Sequence, residues 1–177
     1  MILMQLPEVL EDVFATHSEP NAIFNALLPA LCDVLQTDRC FLYLRNPHNQ
    51  EGKVAYCWRR STEIPDVIDS EWSKEPESLA AEDPLFSAAL EAKPSVYVED
   101  VETANPEVVN LAFERKHFGH RALIHAHLCQ DGLMWGILQP CIFGQPRVWS
   151  ESDRAIVTEL EQRLTPLAIT YVKTVGI

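Results

Sequence analysis

The sequence predicts an α+β fold: a central antiparallel sheet with helices from both chain ends on one face and a ligand-type cavity under mid-chain segments on the other. Three observations predict it. Apolar residues recur at helical spacing near both ends of the chain. Between those ends lie short runs rich in β-branched and aromatic residues, joined by tight turns, which is how antiparallel neighbours are connected. A long acidic segment separates the two strand pairs. With helices on one sheet face, the middle segments are left to roof the other, and a cavity between sheet and roof follows.

Residues 6 to 16 form a short amphipathic segment carrying Leu6, Val9, Leu10, Val13 and Phe14. A second helix is expected from Ser18, read as its N-cap, with Pro20 in the first turn. Its apolar stripe is Ile23, Phe24, Leu27, Leu28, Leu31, Val34 and Leu35. The period then changes. Arg39 to Arg45 and Lys53 to Arg60 read as two strands joined by the turn-rich 46–52. Residues 61 to 84 carry eight acids, one lysine and three prolines, and read as an irregular excursion over the surface. A short helix follows over 85–92, then a strand at 95–98, then a helix over 106–117 that begins near Asn105 with proline first. Arg121 to Cys129 and Leu133 to Phe143 form a hairpin with Asp131-Gly132 at its tip. A last helix starts at Ser150, with Asp153 three residues on as a variant capping box; Pro166 is expected to kink or end it.

The totals bound the function. At 177 residues the chain is expected to form one domain over 1–177. A net charge of −12 repels phosphates and anionic lipid, so neither nucleic acid nor membrane is an expected partner. No run approaches the roughly 18 apolar residues of a membrane span. The first residues lack the basic start of a secretory leader, and five cysteines without a CxxC pair fit buried thiols in a reducing compartment. A cytoplasmic protein is expected.

The hairpin raises the chemical question. Alternation puts His125, His127 and Cys129 on one face and Ile124, Ala126 and Leu128 on the other, against the terminal helices. The histidine face admits three readings: a metal site completed by His117 or His120, a polar pocket wall, or hydrogen-bonded structural histidines. No carboxylate partner for a metal-bound histidine is visible, and no metal is assigned. No phosphate loop, GxSxG elbow or HExxH occurs, and no acid, base and nucleophile are visibly oriented, so no enzyme is expected. Cys57, beside Trp58, Arg59 and Arg60, is either a thiol of lowered pKa or an ordinary strand cysteine.

Leu133-Met134-Trp135-Gly136-Ile137-Leu138, Pro146-Arg147-Val148-Trp149 and Asp38-Arg39-Cys40-Phe41-Leu42-Tyr43 together resemble the LWGLL, PRxW and DRxxxY pieces of GAF domains. Within that family the chain is most similar to phytochrome and cyanobacteriochrome GAF domains. The resemblance implies a GAF-like sheet and a cavity lined in part by Tyr56, Trp58, Val109, Asn110, His125 and His127. In bilin-binding relatives a Cys-His pair stands where this chain has Val109 and Asn110, and the middle segment here has no DxCF motif. No covalent bilin is therefore expected, and the cofactor is unknown. The Asn-Lys-Phe-Asp-Glu pattern of cyclic-nucleotide GAF domains is not visible either.

Two functions stand side by side. One is a noncatalytic sensor that binds a small molecule, such as a tetrapyrrole, noncovalently and signals through its terminal helices to a protein partner. The other is a ligand-free dimerisation module with a closed pocket. In both, the terminal helices form a homodimer contact; for the second, the apolar end Tyr171 to Ile177 offers side chains that call for a partner surface.

Overall fold

The computed structural model describes residues 5–175. Two helices open the chain, α1 (Glu8–Thr16) and α2 (Pro20–Leu35). The first hairpin follows as β1 (Arg39–Asn46) and β2 (Glu51–Arg59), and a two-residue edge strand, β3 (Ser73–Lys74), pairs with the start of β2. The middle of the chain holds α3 (Leu79–Glu82), α4 (Pro84–Leu90), β4 (Val96–Val98) and α5 (Leu111–His117). The second hairpin, β5 (Ala122–Gln130) and β6 (Leu133–Ile142), leads into the long α6 (Glu151–Val175). The strands form one antiparallel sheet in the order β3-β2-β1-β6-β5-β4.

The main core lies between this sheet and α1, α2 and α6. Leu10, Phe24, Leu27, Leu31, Val157, Leu160, Leu164 and Ala168 pack onto Cys40, Leu42, Leu44, Ile124, Ala126, Leu128 and Leu138. The expected split of β5 therefore holds: Ile124, Ala126 and Leu128 meet the helices, while His125 faces the cavity on the other side. The hairpin tip adopts the left-handed pair that Asp-Gly favours, with φ of 54° at Asp131 and 76° at Gly132. Ser150 and Asp153 bond reciprocally, each backbone N–H donating to the other's side-chain oxygen at 3.0 Å.

Three local expectations change. The N-cap of α2 is Glu19, not Ser18, and makes no side-chain cap bond; Pro20 needs no donor at the first helical position. Residues 105–110 do not join α5. Asn105 instead closes a turn, its side chain accepting from Glu107 N and its carbonyl from Val108 N and Val109 N. Asn110 then takes extended angles and caps α5 by accepting from Phe113 N. Pro166 does not end α6, which runs on to Val175. Pro166 and Gln162, whose carbonyl loses its helical partner, both lie on the exposed face of the helix, where an unpaired carbonyl costs little. At the C-terminus Val172 is buried and Val175 exposed, while Gly176 and Ile177 lie outside the described residues.

A bulge decides which face Tyr56 and Trp58 occupy. Leu42 pairs with Tyr56 but Tyr43 pairs with Val54, so Ala55 is an extra residue in β2. Val54, two residues from Tyr56, consequently points to the opposite side. The expected placement of Tyr56 and Trp58 in the cavity wall is thereby corrected, for both lie on the helix side. Tyr56 packs edge-on against Phe24 and Tyr171, with ring centroids 5.4 and 5.9 Å away, and donates to Asn21 Oδ1 at 2.5 Å. Trp58 is half-buried with the Arg60 guanidinium over its ring.

Candidate functional site

On the face away from the terminal helices lies a cavity of about 530 Å³. Its floor is the sheet. Strand alternation turns Phe41 and Tyr43 of β1 toward it, and the β1–β6 register sets Gln139 opposite Phe41 and Ile137 opposite Tyr43. Val54 and His125 extend the floor on either side. The roof is built from the acidic excursion (Asp66 to Asp69), the stretch from Pro76 through α3 to Asp83, Phe86 of α4, and Phe113, His117 and Phe118 at α5. The lining is thus aromatic and apolar with a few convergent polar groups, the usual character of a small-molecule site.

His125 and His127 form a directed chain. His127 Nδ1 stands 2.7 Å from the Lys93 carbonyl, which only accepts, so that nitrogen carries the proton. His127 Nε2 then accepts from His125 Nδ1 at 2.8 Å. Burial holds both imidazoles below their usual range, His125 well below, so both stay neutral. The consequence is that His125 Nε2, with no partner among the described residues, presents a bare lone pair on the cavity side. The nitrogens that a metal would need are largely engaged with each other and with Lys93. Cys129 makes a weak contact with the Ala89 carbonyl, and burial pushes its thiol up to about 11. Among the described residues no group of three or more His, Cys, Asp or Glu is placed to hold a metal.

Beside the cavity, on the same side of the sheet, sits a second polar cluster. Arg39 is fully buried. Its guanidinium donates to the carbonyls of Pro65 at 2.9 Å and Phe118 at 3.3 Å and lies over the rings of Phe41 and Phe143. It also approaches His120 Nδ1 at 3.5 Å; since arginine only donates, that nitrogen accepts and His120 Nε2–H donates to Glu114 Oε2 at 2.5 Å. Arg39 therefore ties the 61–72 excursion and the end of α5 to the sheet. Burial pushes the Glu114 carboxyl up to about 7. Asp83 caps α4 by accepting from Leu85 N and Phe86 N; burial, with the nearby Glu114, pushes it to about 7 as well.

The remaining expected site residues lie elsewhere. Val109 is buried in the small apolar cluster beside the cavity. It lines, with Asn110, a separate space of about 410 Å³ between α3 and α5. Asn110 donates to the Glu82 carbonyl at 2.9 Å. His127 is buried behind His125 and does not line the main cavity. Cys57 is an ordinary strand thiol: burial raises its pKa. Several lining residues fall outside the expected set. Phe41 and Tyr43 are signalled by their shared parity in β1, and Asp83 by the Asp-Pro pair that starts α4. No sequence signal marks Gln139, which lies within an otherwise apolar strand.

No curated protein matches this sequence. Solved structures do match it, at low identity. The GAF domain of an Acinetobacter phosphoenolpyruvate-protein phosphotransferase superposes with a TM-score of 0.66 at 14% identity, over 96% of this chain and 95% of that one. The phycoerythrobilin-bound GAF domain of a cyanobacterial phytochrome gives 0.66 at 17% identity, over 96% and 99%. The chromophore-binding domain of an unusual bacteriophytochrome from R. palustris gives 0.69 at 16% identity, over 94% of this chain but 60% of that longer one. These likenesses establish the fold. The GAF domain family matches residues 19–164 of the sequence, and with the six-stranded sheet in place the chain belongs to the GAF domain family.

Proposed function

We propose that this chain is a single noncatalytic GAF domain that binds a small molecule noncovalently between its sheet and its roof and passes the binding event to its terminal helices. The observation that carries this reading is the cavity itself. About 530 Å³ of space, floored by aromatic rings and the His125 lone pair, remains open in a fold whose other sheet face is closely filled by side chains. A closed, ligand-free module would fill this face in the same way.

The bilins bound by some structural neighbours are the first molecules to try, because the fold is shared. No cysteine lines the cavity among the described residues, so such a chromophore would be held without a thioether. The test is a thermal-shift panel of biliverdin, phycocyanobilin, haem, cyclic nucleotides and aromatic amines. A ligand at a hundred times its dissociation constant stabilises by about 2.7 kcal/mol, which such a scan resolves. A panel without any shift at that excess removes the reading.

Homodimer formation through the terminal helices is the companion proposal. Val9 on α1 and Val175 on α6 are large apolar side chains left about half exposed, at 49% and 52%. Sedimentation at several concentrations tests it; a monomer throughout excludes it. Among the described residues no helix is long and apolar enough to cross a membrane.

A further inference from the structure

We infer that the cavity takes an organic cation, one with an aromatic body and at least one N–H donor. The inference rests on the noncovalent-binding reading above and narrows it.

The lining holds no lysine and no arginine among the described residues. Two guanidiniums stand close by and both are engaged: Arg39 on the Pro65 and Phe118 carbonyls beside the cavity, and Arg59 on the Ile64 carbonyl and, at 3.8 Å, the Asp66 carboxylate. Carboxylates instead stand at the mouth and on the wall: Asp66, Asp69 and Glu82 exposed, Asp83 buried. In a chain of net charge −12, that distribution attracts cations and repels anions before contact. It offers nothing to pair the two propionates of a biliverdin.

Two buried polar groups point independently to a ligand. His125 is 4% exposed and Gln139 3%, and both line the cavity. Neither His125 Nε2 nor the Gln139 amide has a protein hydrogen-bond partner among the described residues; both open onto the cavity, so a ligand that displaces solvent there has to replace its hydrogen bonds. The Lys93 carbonyl fixes His125 Nε2 as an acceptor, so its partner must be a donor. The buried Asp83 carboxyl lines the same cavity and is held in place by accepting from Leu85 N and Phe86 N. Around these groups Tyr43, Phe86 and Phe113 supply aromatic surface of the kind that holds cations and flat apolar bodies, while Phe41 and Phe118, stacked on each other, present their edges.

The test is calorimetric titration of the full chain with three indoles of one shape and different charge: tryptamine (cation), tryptophol (neutral) and indole-3-propionate (anion). Biliverdin is a fourth arm. The expected result is tryptamine binding at least about tenfold more tightly than indole-3-propionate, with tryptophol between. Asp83→Asn keeps the Oδ1 acceptor that caps α4, and thus the fold, and should weaken tryptamine about fivefold while leaving tryptophol within about twofold. Equal affinities, or preference for the anion, overturn the inference and leave the binding reading intact; so does biliverdin binding without tryptamine binding. If none of the four binds, the cation inference falls, and the full panel then decides whether noncovalent binding falls with it.

Discussion

The two faces of the sheet are made from the same strands and treat their side chains in opposite ways. Toward the terminal helices, Phe24, Leu27, Leu31, Leu42, Ile124 and Leu160 interlock with almost no exposed area. Toward the roof, the floor carries a tyrosine, a glutamine and a histidine, and the covering segments are short helices and irregular chain. The helix face holds the molecule together. The roofed face keeps polar groups in reserve, and its cover is pinned by Arg39 together with the Val54–Asp69 and Arg59–Ile64 bonds. Stability is thereby assigned to one side of the layer and the proposed recognition to the other.

The largest expected effect tests the helix face. Phe24→Ala removes a fully buried ring from the Tyr56–Tyr171 cluster and should cost about 3–5 kcal/mol in urea denaturation. A loss under about 1 kcal/mol would mean this face is not the core. Next comes the pin of the roof. Arg39→Met leaves the Pro65 and Phe118 carbonyls without their buried donor, and should cost about 3 kcal/mol while opening residues 61–72 to limited proteolysis. Unchanged proteolysis would show that the roof is held by something else.

The third comparison is electrostatic. Asp83 is raised from 3.8 to about 7 in the folded chain by burial and the nearby Glu114, with His117 acting weakly in the other direction. Between those values the folded chain keeps a proton that the unfolded chain has released, so stability falls as pH rises from about 4 to 7 and the cost is complete above it. Asp83→Asn should remove that part of the pH dependence, narrowing the stability difference between mild acid and mild base by roughly 2 kcal/mol, since water reaching the cavity softens the effect. An identical pH profile in the variant would place the shift elsewhere. The smallest effect is also the sharpest between faces: Tyr56→Phe loses the bond to Asn21, about 1 kcal/mol of stability, and should leave the affinity for any cavity ligand unchanged.

The fold was legible because its signals are periodic. The α2 stripe, the β1 alternation and the Asp131-Gly132 turn all mean the same thing at every level of structure. The site was legible only where alternation runs unbroken, as at His125. One inserted residue, Ala55, reverses the side on which Tyr56 and Trp58 fall, and nothing in the composition of β2 announces a bulge. A proline ahead of apolar residues suggests a longer α5, but Asn110 offers its side chain as a cap and starts the helix there. Gln139 and the Arg39 cluster depend on contacts among segments far apart in sequence, which no local pattern encodes.

The histidine relay has one more partner. His127 N donates to Ser95 Oγ, and Ser95 Oγ in turn donates to the Glu161 carboxylate of α6. A molecule seated on His125, as proposed, would be joined through the His127 ring, the His127 backbone N–H and Ser95, around the β4 margin of the sheet, to the flank of the last helix. In the proposed sensor, news of occupancy would not have to push through the packed layer; it would run around the rim.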